Sequence, residues 1–232
     1  MWEAGLMQRP AEWVITLLAA ACPDISVDTL AQLSLGQRDV RLLSLRESLF
    51  GPQIASLTEC PACGEQLELT FNATDIRATT QVNSTDSYAL SEDEWQVHFR
   101  LPNSLDMLAI ANEQEPEAIR QALYERCILH AEQDGVAVSA GQLPEQAVNA
   151  VAAHMAQVDP QAEVQLALTC PTCAYQWQAN FDIVRFLWSE LDAWAIRTLR
   201  AVHSLASAYG WREADILAMS PWRRQLYLEL VG

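Results

Sequence analysis

Residues 54–71, IASLTECPACGEQLELTF, and residues 164–181, VQLALTCPTCAYQWQANF, are two versions of one pattern. In each, apolar and polar residues alternate into Cys-Pro-x-Cys and alternate again beyond it, which predicts a strand, a tight turn and a second strand. The continuations match too, since Phe71 opens Phe-Asn-Ala-Thr-Asp-Ile and Phe181 opens Phe-Asp-Ile. Structural zinc takes four thiolate or imidazole ligands in a tetrahedron, and each Cys-x-x-Cys turn supplies two sulfurs on one side of it. Cys60, Cys63, Cys170 and Cys173 are therefore predicted to hold one structural Zn²⁺. A thioredoxin-like dithiol would sit at a helix start, whereas both pairs fall at hairpin tips.

In sequence, 106 residues separate Cys63 from Cys170. Closing such a loop costs roughly 4 kcal/mol, against on the order of 10–16 kcal/mol for structural zinc in small domains. The ion wins, and it would pin the base of an insertion while joining the helical regions on either side. Four thiolates leave no open coordination position, so a catalytic zinc is not expected. Cys22 and Cys127 each stand alone in apolar helical stretches and read as core residues. His98, His130, His154 and His203 show no partner spacing, and no triad is visible. A hydrolase working through Glu94 or His98 is the weakest alternative, because no nucleophile and base share a motif.

Outward from the hairpins the pattern is helical. Residues 11–21, 27–35 and 37–50 carry apolar residues at helical spacing, the last with Val40, Leu42, Leu43, Leu45 and Leu49 on one broad face, Arg38, Arg41 and Arg46 outside it, and a stop at Gly51-Pro52. Between the hairpins, residues 94–101 alternate as a strand. Helices are predicted at 104–112, 117–131 and 144–155, broken by Asp134-Gly135 and Asp159-Pro160. The end returns to helix over 184–209, stopped by Gly210, then over 213–218 and 221–230.

The predicted fold class is α+β: a zinc-ribbon-like pair of β-hairpins with N-terminal and C-terminal helical regions and a mixed strand/helix insertion. Its parts are 1–51, N-terminal helical; 52–77, first hairpin; 78–160, insertion; 161–183, second hairpin; and 184–232, C-terminal helical. Together they are expected to form one domain around one ion, well within the size that buries a single core.

Composition narrows the function. The chain of 232 residues has a formal net charge of −16, and all 14 of its basic residues are arginine. With no lysine, the phosphate-binding loop, Schiff-base catalysis and a lysine general base are excluded. The acidic balance opposes nucleic acid, whose binding is dominated by phosphate neutralisation. Both hairpins share it: residues 52–77 set Glu59, Glu65, Glu68 and Asp75 against Arg77, and residues 159–185 set Asp159, Glu163 and Asp182 against Arg185. The apolar run at 13–22 resembles a lipidated export signal, but Glu3 and Glu12 replace the positive leader and the run is too short to span a bilayer. The chain is thus expected to be cytoplasmic, with reduced thiols and no membrane association.

One basic cluster lies near the end. Arg197, Arg200, Arg212, Arg223 and Arg224 are interleaved with Trp211, Trp222 and Tyr227, the mixture that protein interfaces favour. These eight residues are the candidate partner-binding surface. An alternative is a zinc-ribbon regulator that touches nucleic acid through the C-terminal arginines alone.

Several segments carry a resemblance. Leu35-Gly36-Gln37-Arg38-Asp39, Leu42-Leu43-Ser44-Leu45-Arg46, Phe50-Gly51 and the first cysteine turn stand in an order that resembles the T-even-type phage baseplate hub assembly chaperone family, as found in phage-like contractile injection systems. The strand Val97-His98-Phe99-Arg100-Leu101-Pro102, the second turn with Trp177, and Trp211-Arg212-Glu213-Ala214-Asp215-Ile216-Leu217 are similar as well. The resemblance implies a non-enzymatic assembly chaperone or baseplate component whose partners are hub, spike or wedge proteins, located in the cytoplasm or in a phage-tail-like particle. It transfers no catalytic residue. Ala174 stands where the first turn has Gly64, so the second turn is expected to be strained or differently shaped.

Overall fold

The computed structural model describes residues 2–78, 87–92 and 94–231. Its elements run α1 (Trp2–Gly5), α2 (Pro10–Ala21), α3 (Val27–Gln32), α4 (Leu35–Phe50), β1 (Gln53–Glu59), β2 (Gln66–Asn72), β3 (Tyr88–Glu92), β4 (Trp95–Phe99), α5 (Ser104–Ile110) and α6 (Pro116–Cys127). They continue with β5 (Ile128–Gln133), β6 (Val136–Val138), α7 (Glu145–Val158), β7 (Val164–Thr169), β8 (Gln176–Phe181), α8 (Ile183–Tyr209), α9 (Glu213–Leu217) and α10 (Pro221–Val231), with short 3₁₀ turns between some of them. The fold class is α+β. The backbone divides into two compact units, Glu3–Val184 and the helical segment from Arg185 onward. No helix among the described residues is long and apolar enough to cross a membrane.

Helix starts in the first unit follow local chemistry. Ser34 caps α4 by accepting from the Gln37 N–H, and Gln37 returns a carbonyl oxygen to the Ser34 N–H. Asn103 and Asp106 make the same exchange at α5. Pro10 and Pro116 occupy first helical positions of α2 and α6, where a missing N–H costs nothing.

The insertion is where the predicted elements change. The helix expected through residue 131 stops at Cys127, and residues 128–133 form β5 instead. Asp134-Gly135, predicted as a helix breaker, is the two-residue turn of a β-hairpin with positive φ at both positions, 51° and 79°. A four-stranded antiparallel sheet results, ordered β3-β4-β5-β6. Its inner face, Val97, Phe99 and Ala131, packs on Ala147 and Val151 of α7. The tertiary cover of α7 outweighs the helical spacing of 128–131, and neither β3 (Tyr-Ala-Leu-Ser-Glu) nor the three-residue β6 (Val-Ala-Val) alternates apolar with polar residues.

Two arginines expected outside the apolar face of α4 are buried. Arg38 holds Asp39 through Nε at 2.7 Å, and Arg46 donates to the Gly51 carbonyl at 2.8 Å. Asp106 has no exposed surface and receives Arg100 at 2.6 and 2.8 Å and Arg126 at 2.9 Å. Burial works against its charge, but these bonds prevail and hold its carboxyl below the usual value. Gly36 meets Asp159 closely: its N–H donates to Asp159 Oδ2 at 2.9 Å, and a Cβ there would lie 1.9 Å from Oδ1. Only glycine lets α4 seat against the 3₁₀ turn Pro160–Ala162 that precedes β7.

Asp39 makes the stability of the fold depend on pH. Burial, helped by nearby Asp182 and Asp159 and opposed by Arg38, lifts its carboxyl from 3.8 to about 6. A raised acid makes the native state bind the proton more tightly, so its contribution falls as pH rises between those two values. Relative to Asp39→Asn, the wild-type unfolding free energy should therefore decline by about 2 kcal/mol across that window. Denaturant titrations at several pH values measure it, and a parallel pH course in both proteins contradicts the assignment.

Candidate metal centre

The two cysteine turns are built alike. In the first, the Cys60 N–H donates to the Glu65 carbonyl at 2.8 Å and the Gly64 N–H donates back to the Cys60 carbonyl at 2.9 Å. In the second, Cys170 pairs with Tyr175 and Ala174 with Cys170, both at 2.9 Å. Each turn tips an antiparallel hairpin, β1 with β2 and β7 with β8, whose ladders run from Glu59↔Gln66 to Gln53↔Asn72 and from Thr169↔Gln176 to Val164↔Phe181. Towards the other end of the hairpins the Phe71 and Phe181 rings meet edge to face, with centroids 5.6 Å apart. The two hairpins thus touch near both ends.

Between the tips, Cys60 Sγ lies 3.7 Å from Cys173 Sγ and Cys63 Sγ lies 3.6 Å from Cys170 Sγ. All four sulfurs fall within 4.8 Å of one another. A tetrahedron of thiolates at the usual zinc–sulfur bond length has edges of roughly 3.8 Å, so the cradle has the right size for such an ion. Cys60 and Cys170 are buried against Leu67, with Leu69 and Trp177 beside them, while Cys63 and Cys173 face solvent.

Electrostatics within the cluster are uneven. Burial opposes ionisation of Cys170, yet the N–H groups of Cys173 and Thr172 and the thiols of Cys173 and Cys63 outweigh it, drawing this thiol down to about 7. At Cys63 the Glu65 N–H favours the thiolate, but the neighbouring sulfurs and burial push the group up to about 12. One thiolate forms readily and the next are resisted, as expected of like charges crowded together. A divalent cation at the centre removes that resistance, so donor type, number and spacing all fit a metal ion.

The other residues singled out in the sequence lie apart from this cluster. It is the only group of three or more metal-capable side chains converging so closely among the described residues. Cys127 is buried, and burial pushes its thiol up to about 12. His154 packs edge-on to Tyr88 and Phe99. His98 and His130, scattered in sequence, are cross-strand partners on β4 and β5 with ring centroids 6.4 Å apart, a pairing hidden until β5 is known as a strand. Glu94 accepts a hydrogen bond from the Gln133 side chain at 2.7 Å.

The arginine and aromatic residues near the end belong to the second unit. There Trp211 stacks on Tyr209 at 4.4 Å and meets Tyr227 edge-on at 4.9 Å, over the buried Val202, Leu205 and Ile216. Arg223 lies 5.7 Å above the Tyr227 ring. Trp222 is 73% exposed, Arg197, Arg200, Arg212 and Arg223 are exposed, and Arg224 is half-buried.

The second turn has the shape of the first. Its hydrogen bonds repeat those of the first, and Ala174 adopts φ 58° where Gly64 adopts φ 73°. A left-handed alanine is disfavoured by roughly 1 kcal/mol. Ala174→Gly should stabilise the folded protein by about 1 kcal/mol, and Gly64→Ala should cost a similar amount. Chemical denaturation of both variants tests the pair, and an unchanged or lower stability for Ala174→Gly refutes the strain.

No curated protein and no solved structure matches the chain significantly. The family model of the T4 bacteriophage base plate protein matches residues 7–188, more than half of the sequence. That span holds α2 to β8, with both cysteine turns and the whole insertion. On this match, the chain belongs to the T4 bacteriophage base plate protein family.

Proposed function

We propose that this chain is a zinc-stabilised, non-enzymatic protein-binding factor in the assembly of the baseplate of a contractile phage tail or injection system. The observation that carries this is the family match across residues 7–188, within which the four converging sulfurs lie. In this role Cys60, Cys63, Cys170 and Cys173 hold one structural Zn²⁺ that fixes the two hairpins, and the insertion between them is tied at its base. The chain acts by binding hub, spike or wedge proteins, as an assembly chaperone present in the cytoplasm or as a component retained in the particle. The exposed Arg197, Arg200, Arg212 and Arg223, with Trp222 and the half-buried Arg224, supply the charged and aromatic contacts, while Trp211 and Tyr227 shape the surface from within.

Two experiments test these roles separately. Native protein purified under reducing conditions should carry one zinc per chain, and Cys60→Ser or Cys170→Ser should lose it. Because structural zinc binding is worth on the order of 10 kcal/mol, comparable with the stability of a whole domain, both variants should be unfolded at least in the unit that contains the hairpins. A metal-free native protein, or variants that melt like the wild type, would exclude the ion. Tagged chain recovered from cells assembling particles should bring down hub, spike or wedge subunits. If it stays with intermediates and is missing from finished particles it is a chaperone; recovery without any tail subunit counts against the assembly role.

A further inference from the structure

Helix α10 leaves one apolar stripe uncovered. Trp222, Leu226 and Leu230 follow one another at four-residue steps, so they share a face, and they are 73%, 40% and 75% exposed. Tyr227 and Leu228 on the other side fill the core of the second unit, so the stripe is not needed for packing there. It spans about 12 Å, the length over which a helix presents three anchors to a groove.

The first unit carries an apolar groove of about 550 Å³ between α6 and α7. Ile119, Leu123 and Tyr124 of α6 and Ala152, Met155 and Ala156 of α7 line it. These side chains remain half-buried or exposed in the folded chain. The rim includes the exposed Glu163, and Glu115 and Glu117 lie exposed at the start of α6.

Charge separates the stripe from the groove. Residues 1–184 contain eight arginines against twenty-five carboxylates, whereas residues 185–232 contain six against five. Arg223 and Arg224 stand next to Trp222 on α10, with only Glu229 opposing them in that helix. A helix with an apolar stripe and arginines at its start complements an apolar groove with an acidic rim, and the groove's own Arg120 is already engaged by Asn149 and the Tyr124 ring.

We propose that the α10 stripe of one copy docks into the α6–α7 groove of a second copy, so that the chain associates head to tail. Each copy offers one stripe and one groove, and such a heterologous contact builds either a closed ring or an open series. The inference does not rest on the zinc, and because it uses Trp222, Arg223 and Arg224, self-docking and the binding of hub, spike or wedge proteins compete for α10. The contact is small beside a standard interface, so it is reversible and salt-sensitive in isolation and tightens where neighbours are held together.

Full-length metal-loaded protein in analytical ultracentrifugation provides the test. Wild type should show species growing beyond the dimer with concentration and receding with salt. Trp222→Ala removes an exposed anchor and Ala156→Arg places a cation in the groove, so each variant alone should associate about tenfold more weakly. Mixed one to one, they retain one intact stripe and one intact groove, and should form a dimer and nothing larger. Glu163→Arg is a second groove variant at an exposed position, expected to behave like Ala156→Arg and to keep the fold by circular dichroism. A wild type that stays monomeric at all concentrations overturns the proposal. So does a mixture that fails to restore the dimer, which would mean that stripe pairs with stripe or that another protein covers it.

Discussion

Four sulfur atoms from two turns, with Cys63 and Cys170 107 positions apart, meet within 4.8 Å, and the first unit is organised by that meeting. Two-stranded hairpins are marginal alone in water. Here each has the other as its cover, through the cysteine tips at one end and the Phe71–Phe181 contact towards the other. Between them in sequence lies a complete layer of structure, a four-stranded sheet backed by α7, entered from the first hairpin and left through the second. The sulfur junction closes that excursion where the chain comes back.

A second closure works beside it. α4 leads into the first hairpin, and the 3₁₀ turn at Pro160–Ala162 leads into the second. Gly36 on α4 lets the Asp159 carboxylate close against its Cα and donates its N–H to it, and Gln161 donates to the Ile76 carbonyl just after the first hairpin while accepting from the Ala78 N–H. The two ends of the insertion are thus fastened by buried polar contacts in addition to the cysteines. A polar residue buried at such a junction fixes which surfaces meet, because misplacement leaves it without partners.

The sequence made the hairpins legible because a repeat of the same turn chemistry at two places is hard to imitate by chance. Alternation around Cys-Pro-x-Cys located β1, β2, β7 and β8 within a residue or two. The long helices were equally visible from their spacing. What stayed hidden was set by contacts between distant residues. The helical spacing of residues 128–131 masks a strand whose local sign is the Asp134-Gly135 turn just beyond it, and the His98–His130 pairing depends on that register. Arg38 and Arg46 read as surface charge because their partners, the neighbouring Asp39 and the carbonyl after the helix, are invisible to a hydrophobic pattern. Among the aromatics of the second unit, sequence could not divide Trp211 and Tyr227, which face inward, from Trp222, which faces out.

The sulfur cluster also has a dry side and a wet side. Cys60 and Cys170 sit under Leu67, whereas Cys63 and Cys173 look outward. Peroxide or an alkylating reagent arriving from the medium meets the outward pair first, one sulfur from each turn. Chemical wear therefore begins on both hairpins at once, and a single oxidation event that bridges the outer sulfurs would take a donor from each half together.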